Sequence, residues 1–120
     1  MCNRNTPSLA ISRQALRHAL TRFGWDSEVI FNAELALVEL IVNAWRHGET
    51  PAPVVHFSLV TRTLRVCVSD ESDALPTPRT PGDLAEAGRG LQLIEGLTHR
   101  WGVEPQKRGK IVWYELDFVA

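Results

Sequence analysis

Three groups of residues have the types and spacing to handle a phosphorylated ligand. Glu39 and Asn43 stand four residues apart, one helical turn, so their side chains share a face. An amide oxygen is a hard, neutral ligand suited to Mg²⁺, which keeps several waters and takes its other ligands from phosphates. A carboxylate one turn away can accept a proton or orient a water. Gly88-Arg89-Gly90, followed by Leu91, opens a predicted helix. Free N–H groups at a helix start bind phosphate, and glycine lets the backbone come close. Asp70 ends the apolar run Val66-Cys67-Val68-Ser69, where a carboxylate can accept a hydrogen bond from a ligand amine. Each piece also has a plain reading. Glu and Asn meet at this spacing by chance, G-x-G is a common turn, and Asp is a common turn former.

These residues need a scaffold, and the periodicity supplies one. Leu9, Ile11, Leu16, Leu20 and Phe23 predict an amphipathic helix from Ser8, a candidate N-cap, to about Phe23, with Gly24 ending it. A second helix runs from after Asp26-Ser27 to about His47 and closes at Gly48. Its middle, Val29 to Trp45, is apolar almost all round, the pattern of a helix covered on more than one side. Across it runs a polar stripe: Asn32, Glu39, Asn43 and Arg46, spaced by seven, four and three, with small Ala36 between. Such a stripe fits an internal hydrogen-bond network, a solvated helix edge, or the floor of a ligand site. An unpaired buried polar group costs about 1–3 kcal/mol, so the stripe must meet something polar.

Beyond Pro51 and Pro53, Val54 to Val60 and Leu64 to Ser69 read as strands joined by Thr61-Arg62-Thr63. The polar stretch 71–87, with Pro76, Pro78, Pro81 and Gly82, is a long loop for so short a chain, as functional lids are. A short helix with Leu91, Ile94 and Leu97 follows. A hairpin closes the chain, with strands Trp101 to Glu104 and Ile111 to Phe118 and a turn from Pro105 to Lys110. Hairpin strands with segregated helices predict an α+β fold, a two-layer sandwich of about four mostly antiparallel strands with helices on one face. The 120 residues form one domain, with 1–7 expected to be disordered.

Composition excludes several classes. Thirteen Lys and Arg balance fourteen Asp and Glu with no basic block, which argues against direct nucleic-acid binding or an anionic-membrane footprint. No apolar run is long enough to span a bilayer, and the first seven residues lack the apolar core of a signal peptide. Cys2 and Cys67 are too far apart in sequence to suggest a metal cluster or a disulfide framework. A cytoplasmic setting fits these features. His18, His56 and His99 lack partners at ligand spacing and read as structural; His47 reads as a helix C-terminal residue favoured by the dipole. No G-x-x-x-x-G-K-[ST] loop occurs.

Taken in order, the pieces resemble a known family. Glu39-x-x-x-Asn43-Ala44 with His47-Gly48, Asp70 at a strand end, a long loop, Gly88-Arg89-Gly90-Leu91, Trp101-Gly102 and Gly109-Lys110-Ile111-Val112-Trp113 together look like the histidine-kinase-like ATPase domain. The branch they most resemble is that of the anti-sigma-factor serine kinases, over about residues 8 to 118. The resemblance implies ATP and Mg²⁺ as ligands. It implies Asn43 as the Mg²⁺ ligand, Glu39 as general base and Asp70 as the reader of the adenine amino group. It implies that Gly88 to Leu91 cradle the phosphates and that 71–87 is the ATP lid. The partners implied are a sigma factor and a small anti-anti-sigma protein phosphorylated on serine, and a homodimer is a further expectation.

The sequence departs from the family pattern in three places. The usual D-x-G-x-G is here Asp70-Glu71-Ser72-Asp73-Ala74, without either glycine. Lys110-Ile111 follows Gly109, where many members place a Thr near the base. Only a few polar residues precede the first helix, where the family usually has a strand, so the sheet edge is expected to differ. The altered glycine box also suits a second function, a non-catalytic ATP-binding or partner-binding switch that sequesters a regulator.

Overall fold

The computed structural model describes residues 7–46, 53–70, 92–107 and 109–118. Helix α1 spans Pro7–Arg22 and α2 spans Ser27–Arg46. Strands β1 (Val54–Val60), β2 (Thr63–Asp70), β3 (Arg100–Pro105) and β4 (Lys110–Asp117) follow, with a helical segment at 92–97 between β2 and β3. The sheet order is β1-β2-β4-β3, antiparallel throughout. This is the expected α+β sandwich with four strands.

Strict alternation builds the two faces of the sheet. Leu64, Val66 and Val68 of β2 lie opposite Leu116, Tyr114 and Val112 of β4, and all six are buried. Against them α2 packs Ala33, Ala36, Leu37, Leu40 and Ala44, and α1 adds Leu16 and Leu20. Burying one such Leu side chain contributes about 1.5–3 kcal/mol, so α2 is fixed chiefly by this layer. The Tyr114 hydroxyl donates to the Ala33 carbonyl at 2.6 Å, a buried bond that registers helix against sheet. Its apolar setting pushes the phenol well above its usual range.

The other face is polar. Arg65 lies over the Trp113 ring at 4.4 Å and bonds Glu115 and Glu104. Arg100 bonds Glu115 and Asp117. Arg100 and then Thr63 hold the Asp117 carboxyl at about 2. Gly102 is required here, because a Cβ would stand 2.8 Å from the Trp113 ring.

Several boundaries differ from the sequence reading. Helix α1 begins at Pro7, inside the segment expected to be disordered and one residue before the candidate N-cap Ser8; proline is tolerated in a first turn, where its missing N–H is no loss. Ile11 is 62% exposed, because two residues past Leu9 is about 200° round the helix and off the apolar face. Phe23, just beyond the helix, is 65% exposed. The β1–β2 connection is two residues, since Val60 and Thr63 already pair; Thr61 turns the chain at φ 58°. Lys110, expected in the last turn, is the first residue of β4 and is buried. That turn closes earlier, where the Gln106 N–H donates to the Gly109 carbonyl and Gly109 takes φ 83°.

Candidate functional site

Residues flanking α2 and β4 fix their relative direction. Trp25, just before α2, meets Phe118, just after β4, with ring centroids 5.4 Å apart. At the seventh residue of the helix, the Ala33 carbonyl is bonded by Tyr114. Helix and strand therefore run in opposite senses. From Ala33 to Asn43 the helix advances about 15 Å. From Tyr114 back to Lys110 the strand retreats about 13 Å. Asn43 and the start of β4 thus lie at the same end of the sandwich. There Lys110 is the register partner of Asp70, so the sheet brings the ends of β2 and β4 to the half of α2 that carries Glu39 and Asn43.

The stripe occupies one flank of α2. Asn32, Glu39 and Asn43 are half-buried, Arg46 is exposed, and Ala36 between them is fully buried. Small Ala36 lets the neighbouring layer approach without lifting the polar side chains out of reach. Glu34, which the sequence reading did not single out, sits about 140° round the helix from Glu39. That flank faces α1, and Glu34 is bound there by Arg17 through two hydrogen bonds of 2.7 and 2.9 Å, with Arg13 at 3.4 Å. Arg17 above all holds the Glu34 carboxyl below the usual carboxylate range, against the opposing effect of burial.

At the start of the stripe, Asn32 meets the 92–97 segment across a cavity. Asn32 and Leu97 line one cavity of about 220 Å³, with Trp25, Val29, His99 and Phe118 among its other walls. Ile94 anchors the segment in the core, and Thr98 closes its end by bonding the Ile94 carbonyl through both N–H and hydroxyl. His99 accepts the Asp117 N–H at its Nδ1, a structural use of this histidine.

The donor set at the site end fits a hydrated divalent cation with phosphate. Asn43 contributes a neutral oxygen, and Glu39 a carboxylate one turn below. Neither side chain has a hydrogen-bonding partner among the described residues. Lys110, nearly fully buried, lies at the same end. Of the other candidates, Asp70 is placed by its backbone at the end of β2. Gly88, Arg89, Gly90 and Leu91 and the 71–87 loop lie outside the described residues; in sequence they lead directly into the 92–97 segment. Among the described residues no cluster of His, Cys, Asp or Glu could hold a metal, and no helix is long and apolar enough to cross a membrane.

No curated protein matches the chain. Among solved structures, it is similar to the histidine kinase domain from the Erythrobacter litoralis EL346 blue-light activated histidine kinase. The TM-score is 0.53 at 22% identity, over 98% of this chain and 64% of that one, a likeness that establishes the fold. The sequence pattern of the histidine kinase-like ATPase domain matches residues 3–115. That span takes in nearly the whole chain, together with α2, its stripe and all but the last two residues of the four-stranded sheet, and on it the chain belongs to the histidine kinase-like ATPase domain family.

Proposed function

We propose that this ATP-binding domain is a protein serine kinase of the anti-sigma-factor type, acting on a small anti-anti-sigma protein while also binding a sigma factor. The observation that carries this reading is the Glu39–Asn43 pair. It is half-buried on α2, bonds no described residue, and lies at the same end of the sandwich as Asp70 and Lys110. The order of motifs from Glu39 to Trp113 supports the choice of branch.

In this reading Asn43 holds Mg²⁺, which would neutralise phosphate charge as phosphoryl transfer requires. Asp70 takes the amino group of the base. Gly88, Gly90 and Leu91 offer backbone N–H groups to the phosphates, and Arg89 adds charge. Glu39 accepts the proton of the incoming serine hydroxyl as its oxygen attacks the γ-phosphorus. The bond from that phosphorus to the β–γ bridging oxygen breaks, and ADP leaves with the electron pair.

The test is calorimetric titration with ATP, with and without Mg²⁺, on the wild type and Asn43→Ala. The variant is expected to lose roughly 10- to 100-fold in Mg²⁺-dependent affinity, the counterpart of ~1.5–3 kcal/mol for a lost contact to a charged group. Glu39→Gln should keep ATP binding and lose transfer to the serine of an anti-anti-sigma partner. A Glu39→Gln protein that transfers at the wild-type rate would remove Glu39 as the base.

A second reading keeps the nucleotide and drops the catalysis. The run Asp70-Glu71-Ser72-Asp73-Ala74, without glycines, favours it. The domain is then a switch that holds its partner according to bound nucleotide. Mg²⁺-dependent ATP binding with no transfer to any partner separates this reading from the kinase.

A further inference from the structure

At the end of the sandwich away from Asn43 and Lys110, a cavity of about 220 Å³ opens between the start of α2, the end of β4 and the end of the 92–97 segment. Asn32, on its wall, stands eleven residues before Asn43. That is about 16 Å along the helix, so the cavity is separate from the candidate nucleotide site. Its floor is apolar, made by Trp25, Val29, Leu97, Leu116 and Phe118. The Trp25 and Phe118 rings, 5.4 Å apart and tilted by 43°, form an aromatic corner. A third ring packs into such a corner in the offset or edge-to-face arrangements that aromatic pairs prefer.

The polar lining is one-sided in charge. Asp26 and Asp117 contribute carboxylates, Asn32 an amide, and His99 an imidazole whose Nδ1 already accepts the Asp117 N–H. No Lys or Arg stands among the described residues that line the cavity. Arg100 and Thr63 bond the Asp117 carboxylate. Asp26, exposed at the rim and ion-paired with no described residue, is then the charge that a ligand would meet. Its carbonyl accepts the Ile30 N–H, so Asp26 is the N-cap of α2 and the helix fixes its place. Asp26, Val29 and Asn32 recur every third residue, along one face of the helix start.

We propose that this cavity binds a small aromatic amine, its ring against Trp25, Leu97 and Phe118 and its ammonium group at Asp26. Asn32 supplies a neutral acceptor further along the same helix face. A cavity of about 150 Å³ takes benzene, so the volume here suits one ring with a short arm. It falls below the ~300–1,000 Å³ of sites for larger ligands. An anionic ligand of the same shape would bring its charge against Asp26 and Asp117, and a neutral one would forgo the ion pair.

The test is a titration of the full chain followed by heteronuclear NMR, with phenethylamine, phenylethyl alcohol and phenylacetate as near-isosteric probes. The Trp25 indole and the Asn32 side-chain amide are expected to shift with phenethylamine, at lower concentration than with the alcohol and far lower than with phenylacetate. Asp26→Asn keeps a good N-cap and removes the charge. It is expected to weaken phenethylamine about two- to fivefold, as for the loss of an exposed ion pair, and to leave the alcohol unchanged. Saturating ATP with Mg²⁺ should not displace the amine. No shift at Trp25 or Asn32 with millimolar phenethylamine overturns the proposal. Equal affinity for the three probes, or an Asp26→Asn protein that binds the amine as the wild type does, overturns the cation assignment. Displacement by ATP overturns the separate site. The signals of Trp25 and Asn32 report on the cavity whether or not the domain transfers phosphate, so failure here is distinguishable from failure of the kinase reading.

Discussion

Glu34 and Glu39 stand five residues apart on one helix, and their surroundings are opposite. Glu34 is 6% exposed and holds Arg17 and Arg13 of α1. Glu39 is half-buried on the other flank and bonds no described residue. The first carboxylate is used up in joining α1 to α2, and the second is left available. A half-buried polar side chain without an internal partner is satisfied by water or by a ligand. The difference between the two flanks therefore sets the carboxylate that holds the fold apart from the one on which the proposed function rests. Each prediction below tries to break that separation or sharpen it.

The largest effect is expected from Arg17→Ala. It strips two hydrogen bonds from a nearly buried carboxylate and leaves only the longer contact to Arg13. Removing one partner of a buried pair leaves an uncompensated charge, worth about 3–5 kcal/mol when the pair is fully buried. Arg13 remains, and the Arg17 side chain is half exposed, so the loss is partial and is read as a lowered midpoint in urea denaturation. Mg²⁺-dependent ATP affinity should stay within about twofold of wild type. A large loss of affinity with stability retained would join the two flanks and break the comparison.

A smaller effect follows from acid. The folded state holds the Glu34 carboxyl below its ordinary range, so unfolding brings proton uptake once the unfolded carboxyl begins to titrate, near pH ~4.3. The stability contributed by Glu34 is full above that pH and is lost as pH falls through the depressed folded value. Asp117, held at about 2 by Arg100 and Thr63, acts with the same sign. Denaturation midpoints should be flat from pH 7 to about 5 and fall below that. In Glu34→Gln the fall should be shallower.

Much of the fold was legible because it rests on periodicity. Leu64, Val66 and Val68 alternate, and the apolar rows of α2 recur at helical spacing, so strands, helices and layers follow from the chain alone. The turn at Gln106–Gly109 was misplaced because Lys110 reads as a turn residue by composition; only the register with Asp70 reveals it as a strand residue. The Glu39–Asn43 face was legible from spacing, since residues one turn apart must share a face. Glu34 was not. Its role depends on Arg13 and Arg17, which stand 21 and 17 residues away, and no local pattern sets their distance to it. The absence of Glu34 from the sequence-derived stripe was itself a usable signal: a lone Glu within the apolar rows of a covered helix requires a cation from the next element.

The smallest effect, and the sharpest test, is Glu39→Ala. If Glu39 belonged to an internal network, truncation would orphan a partner and cost about 1–3 kcal/mol. No described residue bonds it, so the expected change is within ±0.5 kcal/mol, as for a substitution away from any structural feature. The measurement is a urea titration beside that of Arg17→Ala, with the same buffer and probe. A loss near that of Arg17→Ala would make Glu39 a second Glu34, a carboxylate serving the fold, and would withdraw the main support for a ligand site on this face. A loss near zero, joined to loss of serine transfer, would leave the two glutamates with divided roles.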